Sequence, residues 1–179
     1  MIAAGTHALG PDDTALQVRT YREGRARRAG HDLLLDVTRW SATVTVAADG
    51  APVAVALEAD PRSLRVRAGT GGIRPLSEGD RAGIVANIAD RVLGGEPIAF
   101  ASGSVEPTGD GLAVRGDLTM AGATHPVTVR LHIDAGGSLA GTVAVTQSAW
   151  GIRPYSAMMG ALRVRDEVDL IVAGRLPTG

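Results

Sequence analysis

The chain has 179 residues and a formal net charge of −1, long enough for one domain with a real core and without the positive charge that recruits nucleic acid. All 18 basic residues are Arg, and neither Lys nor Cys occurs. That excludes a phosphate-loop lysine, Schiff-base chemistry, a thiol nucleophile, a disulfide and a thiolate metal site.

Residues 1–13 lack a basic region followed by an apolar core, so no secretory signal is read there. The expectation is a cytoplasmic protein, or an exported one if the sequence is a processed form. No run approaches the ~20 apolar residues of a membrane-spanning helix. Alternating apolar and polar residues predict strands at 14–22, 31–47, 52–59, 63–68, 97–105, 111–120, 126–134, 138–148 and 161–175. The first leads into a loop holding Arg22, Arg25, Arg27 and Arg28, four arginines within seven positions. Such a loop either clamps a phosphate head group or touches an anionic membrane, or it is a solvated hairpin. In the second segment Leu33, Leu35 and Val37 are odd, whereas Ala42, Val44 and Val46 are even. The phase slips near Arg39 and Trp40, by a bulge or because one strand ends there.

Asp49 with Gly50 turns the chain into the next strand, as Asp110 with Gly111 and Gly136 with Gly137 do later. Gly69 to Gly72, with no Lys, read as a plain turn. Ser77 with Asp80 is a capping pattern, Ile84, Ile88 and Val92 share a face, and Gly94 with Gly95 ends the run, predicting one helix over residues 77–92. Repeated hairpins favour a meander, and closure removes exposed edges. The fold expected for residues 1–179 is a single all-β domain, an antiparallel up-and-down β-barrel of about eight strands. One α-helix is inserted after the fourth or fifth strand; a two-sheet sandwich is the alternative.

The inward parity gathers aliphatic side chains, among them Leu16, Val18, Leu35, Val44, Phe100, Leu118, Met120, Val127, Val129 and Val143. With one Phe, two Trp and two Tyr to fill it, the interior is either a compact core under the helix or an apolar tunnel. Asp166 shares parity with Val164 and Val168, and either points inward or is turned out by a bulge at 165–167. Trp150, Tyr155, Met158 and Met159 occupy a loop punctuated by Gly and Pro, suited to a tunnel entrance or to a lid. The four His are scattered and predict no metal site: His125 and His132, seven apart, face opposite ways, His31 is a turn residue and His7 lies in a loose N-terminus. No G-x-S-x-G elbow or grouped Ser, His and acid occurs, so no catalytic residue is expected.

The string G-D-L-T-M-A-G-A-T-H-P-V-T-V (116–129) resembles the YceI-like family, which carries G-x-L-T-hydrophobic-x-G-x-T-x-P-V in mid-domain. Residues 80–102 are similar to the family's helix and P-x-I-x-F strand, and 150–172 to its aromatic-G-I loop and closing strand. The chain departs from the pattern in having few aromatics in its first strands. The resemblance implies a lipocalin-like barrel holding a polyprenyl phosphate or isoprenoid quinone tail, without a further cofactor, as a monomer or isologous homodimer. The ten inward residues then line the lumen, Trp150, Tyr155, Met158 and Met159 flank its entrance, and Arg22, Arg25, Arg27 and Arg28 face the head group. Transient contact with a membrane surface is compatible with this. A stress-linked structural or interaction module without a lipid is the alternative, and an enzyme acting on such a lipid is disfavoured by the missing Lys and Cys.

Overall fold

The computed structural model describes residues 3–134 and 137–175. Strands β1 (Gly5–Leu9), β2 (Thr14–Thr20), β3 (Arg22–Glu23), β4 (His31–Val37), β5 (Trp40–Val46), β6 (Pro52–Ala59) and β7 (Leu64–Gly71) precede helix α1 (Glu78–Asn87). After a wider helical turn, Ile88–Val92, come β8 (Ile98–Thr108), β9 (Gly111–Met120), β10 (Ala123–Ile133), β11 (Ser138–Thr146), β12 (Ser156–Ala157), β13 (Leu162–Val164) and β14 (Glu167–Arg175).

Eleven strands form one antiparallel sheet in the order β1-β5-β6-β8-β9-β10-β11-β14-β2-β4-β7, and β12-β13-β3 form a small second one. The large sheet curls because its first strands are bent in half. β1 runs on to β2, β4 to β5 and β6 to β7, and both halves of each keep one antiparallel partner: β1 with β5 and β2 with β4, β5 with β6 and β4 with β7. Counted as whole strands they number eight with β8 to β11 and β14, and the ladder returns on itself through β14 and β2. This is the expected antiparallel barrel rather than two stacked sheets. Bends of this kind are how strands close a barrel.

The bend at Thr38 and Arg39 accounts for the phase slip read in 31–47. The chain leaves the ladder for two residues, held by Thr38 N–H donating to the Ser63 carbonyl (3.1 Å) and Asp60 N–H to that of Arg39 (3.0 Å). Asp166 also lies at a break, between β13 and β14, where its carboxylate accepts the Ser148 amide (2.8 Å) and hydroxyl (2.5 Å) instead of entering the barrel. Segment 161–175 is therefore two strands in two sheets. The helix follows β7, the fourth of the strands read from the sequence, as expected. Two expectations need correcting. Gly69 to Gly71 extend β7 because His31 to Leu33 of β4 pair with them. His7 sits inside β1, opposite Val44.

Helix α1 starts as its sequence dictates. Ser77 accepts the Asp80 amide (3.1 Å), Asp80 accepts the Ser77 amide (2.9 Å), and Gly94 and Gly95 take positive φ of 63° and 70° beyond the end. The helix enters the chain between β7 and β8, which do not pair with each other. Arg81 donates to the Val66 carbonyl of β7 (2.8 Å), tying the helix to that strand.

Candidate functional site

Beneath α1 lies a cavity of about 560 Å³. Its floor is the barrel interior: Val18 of β2, Leu33, Leu35 and Val37 of β4, Val145 of β11, and Val168 and Leu170 of β14. Its roof is the apolar face of the helix and the turn after it, with Ile84, Ile88, Val92 and Leu93. The cavity exists because small and β-branched side chains point inward and the helix roofs the interior instead of entering it. Trp40, Val44, Leu118 and Trp150 lie off the cavity wall, in a buried cluster that also holds the wall residues Leu35, Val37 and Val168. The barrel interior thus combines a packed cluster with a cavity beside it.

The rim is polar and already paired. Arg22 donates from Nη1 to the carbonyls of Gly30 (2.7 Å) and Thr70 (3.4 Å), and its Nε lies 3.8 Å from Asp32. Gly71 beside it takes φ 86°, which favours glycine, and a Cβ there would displace the guanidinium. His31 donates from Nε2 to the Arg74 carbonyl (2.9 Å), and Arg163 lies 3.4 Å from Glu23. Asp60 is held below the usual carboxylate range chiefly by the Arg39 side chain, and Asp80 chiefly by the Ser77 amide. Two glycines make room for rim leucines: a Cβ on Gly69 would meet Leu76 at 2.6 Å, and one on Gly30 would meet Leu162 at 2.7 Å. Among the described residues no three His, Asp or Glu side chains gather where they could share a metal ion.

Of the ten lumen residues expected from the sequence, Val18, Leu35 and Met120 line the cavity. Val44 and Leu118 lie in the packed core, with Leu16, Phe100 and Val127 against it. Val129 and Val143 are half-buried and not part of the cavity wall. Of the four entrance residues only Tyr155 reaches the wall. Trp150 is buried, its Nε1 donating to the Leu118 carbonyl (2.9 Å) and its ring meeting the edge of His125 at 5.2 Å. Met158 and Met159 are exposed. Arg22 alone of the four arginines borders the cavity, while Arg25, Arg27 and Arg28 are exposed in the adjoining loop. Leu33, Val37, Ile152 and Leu162 belong to the wall and were not singled out as site residues. The first two continue the parity of Leu35, a signal already present in the sequence.

Residues 95–176 match the YceI-like domain. No curated protein matches the chain. Among solved structures, Burkholderia cenocepacia BcnA is similar over 89% of this chain and 94% of its own, at 16% identity and a TM-score of 0.63. The Campylobacter jejuni YCEI protein is similar over 78% of this chain and 81% of its own, at 11% identity and a TM-score of 0.58. At these identities the likeness is one of fold.

Proposed function

We propose that this chain, YceI-like over residues 95–176, is a non-enzymatic carrier that holds an isoprenoid-type lipid in the cavity beneath α1. The observation that carries this reading is the cavity itself, about 560 Å³ with aliphatic walls from β2, β4, β11, β14 and the helix. Its size falls within the range of small-molecule sites, roughly 300–1,000 Å³. At about 30 Å³ for each heavy-atom-sized unit, it accommodates on the order of 20 such units, close to four isoprene units. Each buried methylene contributes about 0.8 kcal/mol, so such a tail binds without a charged anchor. A polyprenyl phosphate or an isoprenoid quinone then leaves its head at the rim, nearest to Arg22, with Arg25, Arg27 and Arg28 in the loop beyond. A single chain encloses the cavity, so a monomer suffices for binding.

The paired state of the rim supports a binding role over a catalytic one. Arg22, His31 and Asp80 are each engaged by partners of the fold itself. The test is to extract the purified protein with organic solvent and identify co-purifying lipid by mass spectrometry. An apolar chain lipid in near-stoichiometric amount is expected. A clean blank from several expression hosts would favour an interaction module without a lipid.

A further inference from the structure

The same end of the barrel carries charges and apolar groups that holding a tail does not require. The side chains of Arg25, Arg27 and Arg28 are exposed and make no hydrogen bond or ion pair among the described residues. The neighbouring carboxylates are already taken, Asp32 by Arg22, Glu23 by Arg163 (3.4 Å) and Asp80 by Arg74 (3.1 Å). The loop therefore keeps its full positive charge on a protein whose net charge is −1. It is docked on the segment after β12: Ala26 N–H donates to the Ala161 carbonyl (2.8 Å), and Gly24, at φ 97°, leaves the space that carbonyl occupies.

That segment holds Met158 and Met159 in left-handed backbone, at φ 52° and 54°, a conformation non-glycine residues avoid. The fold maintains this conformation and leaves Met158 61% exposed and Met159 wholly so. Ile73, 83% exposed, follows the end of β7 beside His31. Single exposed apolar residues are ordinary. Met158 and Met159 lie on the segment against which the arginine loop is docked, and Ile73 follows Gly71 and Gly72, where an added Cβ would meet Arg22 and His31 of the cavity rim, a combination suited to one class of partner.

We propose that this rim is a docking surface for an anionic lipid bilayer. The guanidinium groups pair with lipid phosphates, and Met158, Met159 and Ile73 enter the boundary between head groups and acyl chains. The mouth of the cavity then faces the membrane, and a tail passes between bilayer and barrel without crossing water. Docking does not depend on what the cavity holds, so it stands separately from the carrier reading.

The experiment is vesicle flotation with the full chain, using phosphatidylcholine vesicles with and without about a third phosphatidylglycerol, at low and high salt. The wild type is expected to float with the anionic vesicles at low salt only. An arginine near anionic lipid is worth about fivefold in partition, so Arg25→Gln with Arg27→Gln and Arg28→Gln weakens binding on the order of 150-fold. Met158→Asn with Met159→Gly keeps the left-handed backbone and is expected to cost about tenfold or more. Equal binding to both vesicle types, none to either, or binding that ignores the arginine variant would overturn the proposal. So would equally tight binding to heparin that ignores the methionine variant. Lipid extraction of the same samples separates the two readings: a wild type that carries lipid but never floats overturns docking alone. One that floats but carries no lipid upholds docking and removes the carrier reading.

Discussion

Val18→Trp separates a working cavity from an incidental one. Val18 is half-buried on β2, paired with Leu35 of β4 and Leu170 of β14, and all three line the cavity. The substitution adds about seven bonded, close-packed heavy atoms, roughly 90 Å³. That removes about a sixth of the 560 Å³ available. A tail of four isoprene units loses contact for about three carbons, or about 2.4 kcal/mol at ~0.8 kcal/mol each. A tail of two units still fits and loses almost nothing. Overpacking adds about 1–3 kcal/mol of strain, read separately from denaturant unfolding. Val129→Trp, outside the cavity wall, controls for strain without obstruction. The assay is titration calorimetry of delipidated protein with prenyl alcohols of two, three and four units. Equal losses at every length with cooperative unfolding intact, or unchanged binding of the longest tail, would refute the reasoning.

Trp150→Phe leaves the buried Leu118 carbonyl without its donor and is expected to cost about 1–3 kcal/mol in denaturant unfolding, with little effect on tail binding. Ser77→Ala removes the capping box and is expected to cost about 1 kcal/mol. It also frees the roof of the cavity, so amide exchange in residues 78–92 accelerates more than exchange in β9 and β10. Tyr21 donates to Asp169 at 2.5 Å, and this hydrogen bond raises its pKa above the usual 10. The stability it contributes is present below pH 10 and lost as pH rises past it, so Tyr21→Phe flattens the alkaline end of a stability profile. Asp60 and Asp80 shift the opposite way. Their contribution is complete above 3.8 and disappears as pH falls below it, which an acid titration of Asp60→Asn would show as a smaller loss.

The barrel was legible because alternation, tight turns and one capped helix are local signals. Leu112 to Met120 and Val127 to Ile133 alternate strictly, and Ser77, Asp80 and the Gly94–Gly95 pair mark the helix ends where they stand. Strand β1 was missed because Gly5–Leu9 shows a small apolar set, and its pairing with β5 is not a local property. The cavity was only partly legible for a physical reason. Parity separates inward from outward residues but does not say which part of the interior is packed. Val44 and Val18 share a sequence signature and both pack in the core, yet only Val18 also reaches the cavity wall. Trp150 read as an entrance or lid residue from its Gly- and Pro-punctuated loop. Its indole donates to a carbonyl on β9, a partner over thirty residues away that no local pattern points to. Among the arginines, only the register of β4 with β7, which brings Thr70 and Gly71 beside Arg22, distinguishes that residue from Arg25, Arg27 and Arg28.

The central claim, that the space under α1 holds the tail, is tested most directly by photo-crosslinking. A prenyl alcohol of four units carrying a diazirine at its apolar end is bound and irradiated, and the labelled peptides are mapped. Labelling is expected on β4 around Leu35, on β14 around Val168 and Leu170, and on the helical turn around Ile88. Labelling confined to the outer wall, or spread over exposed strands without these three, would contradict it.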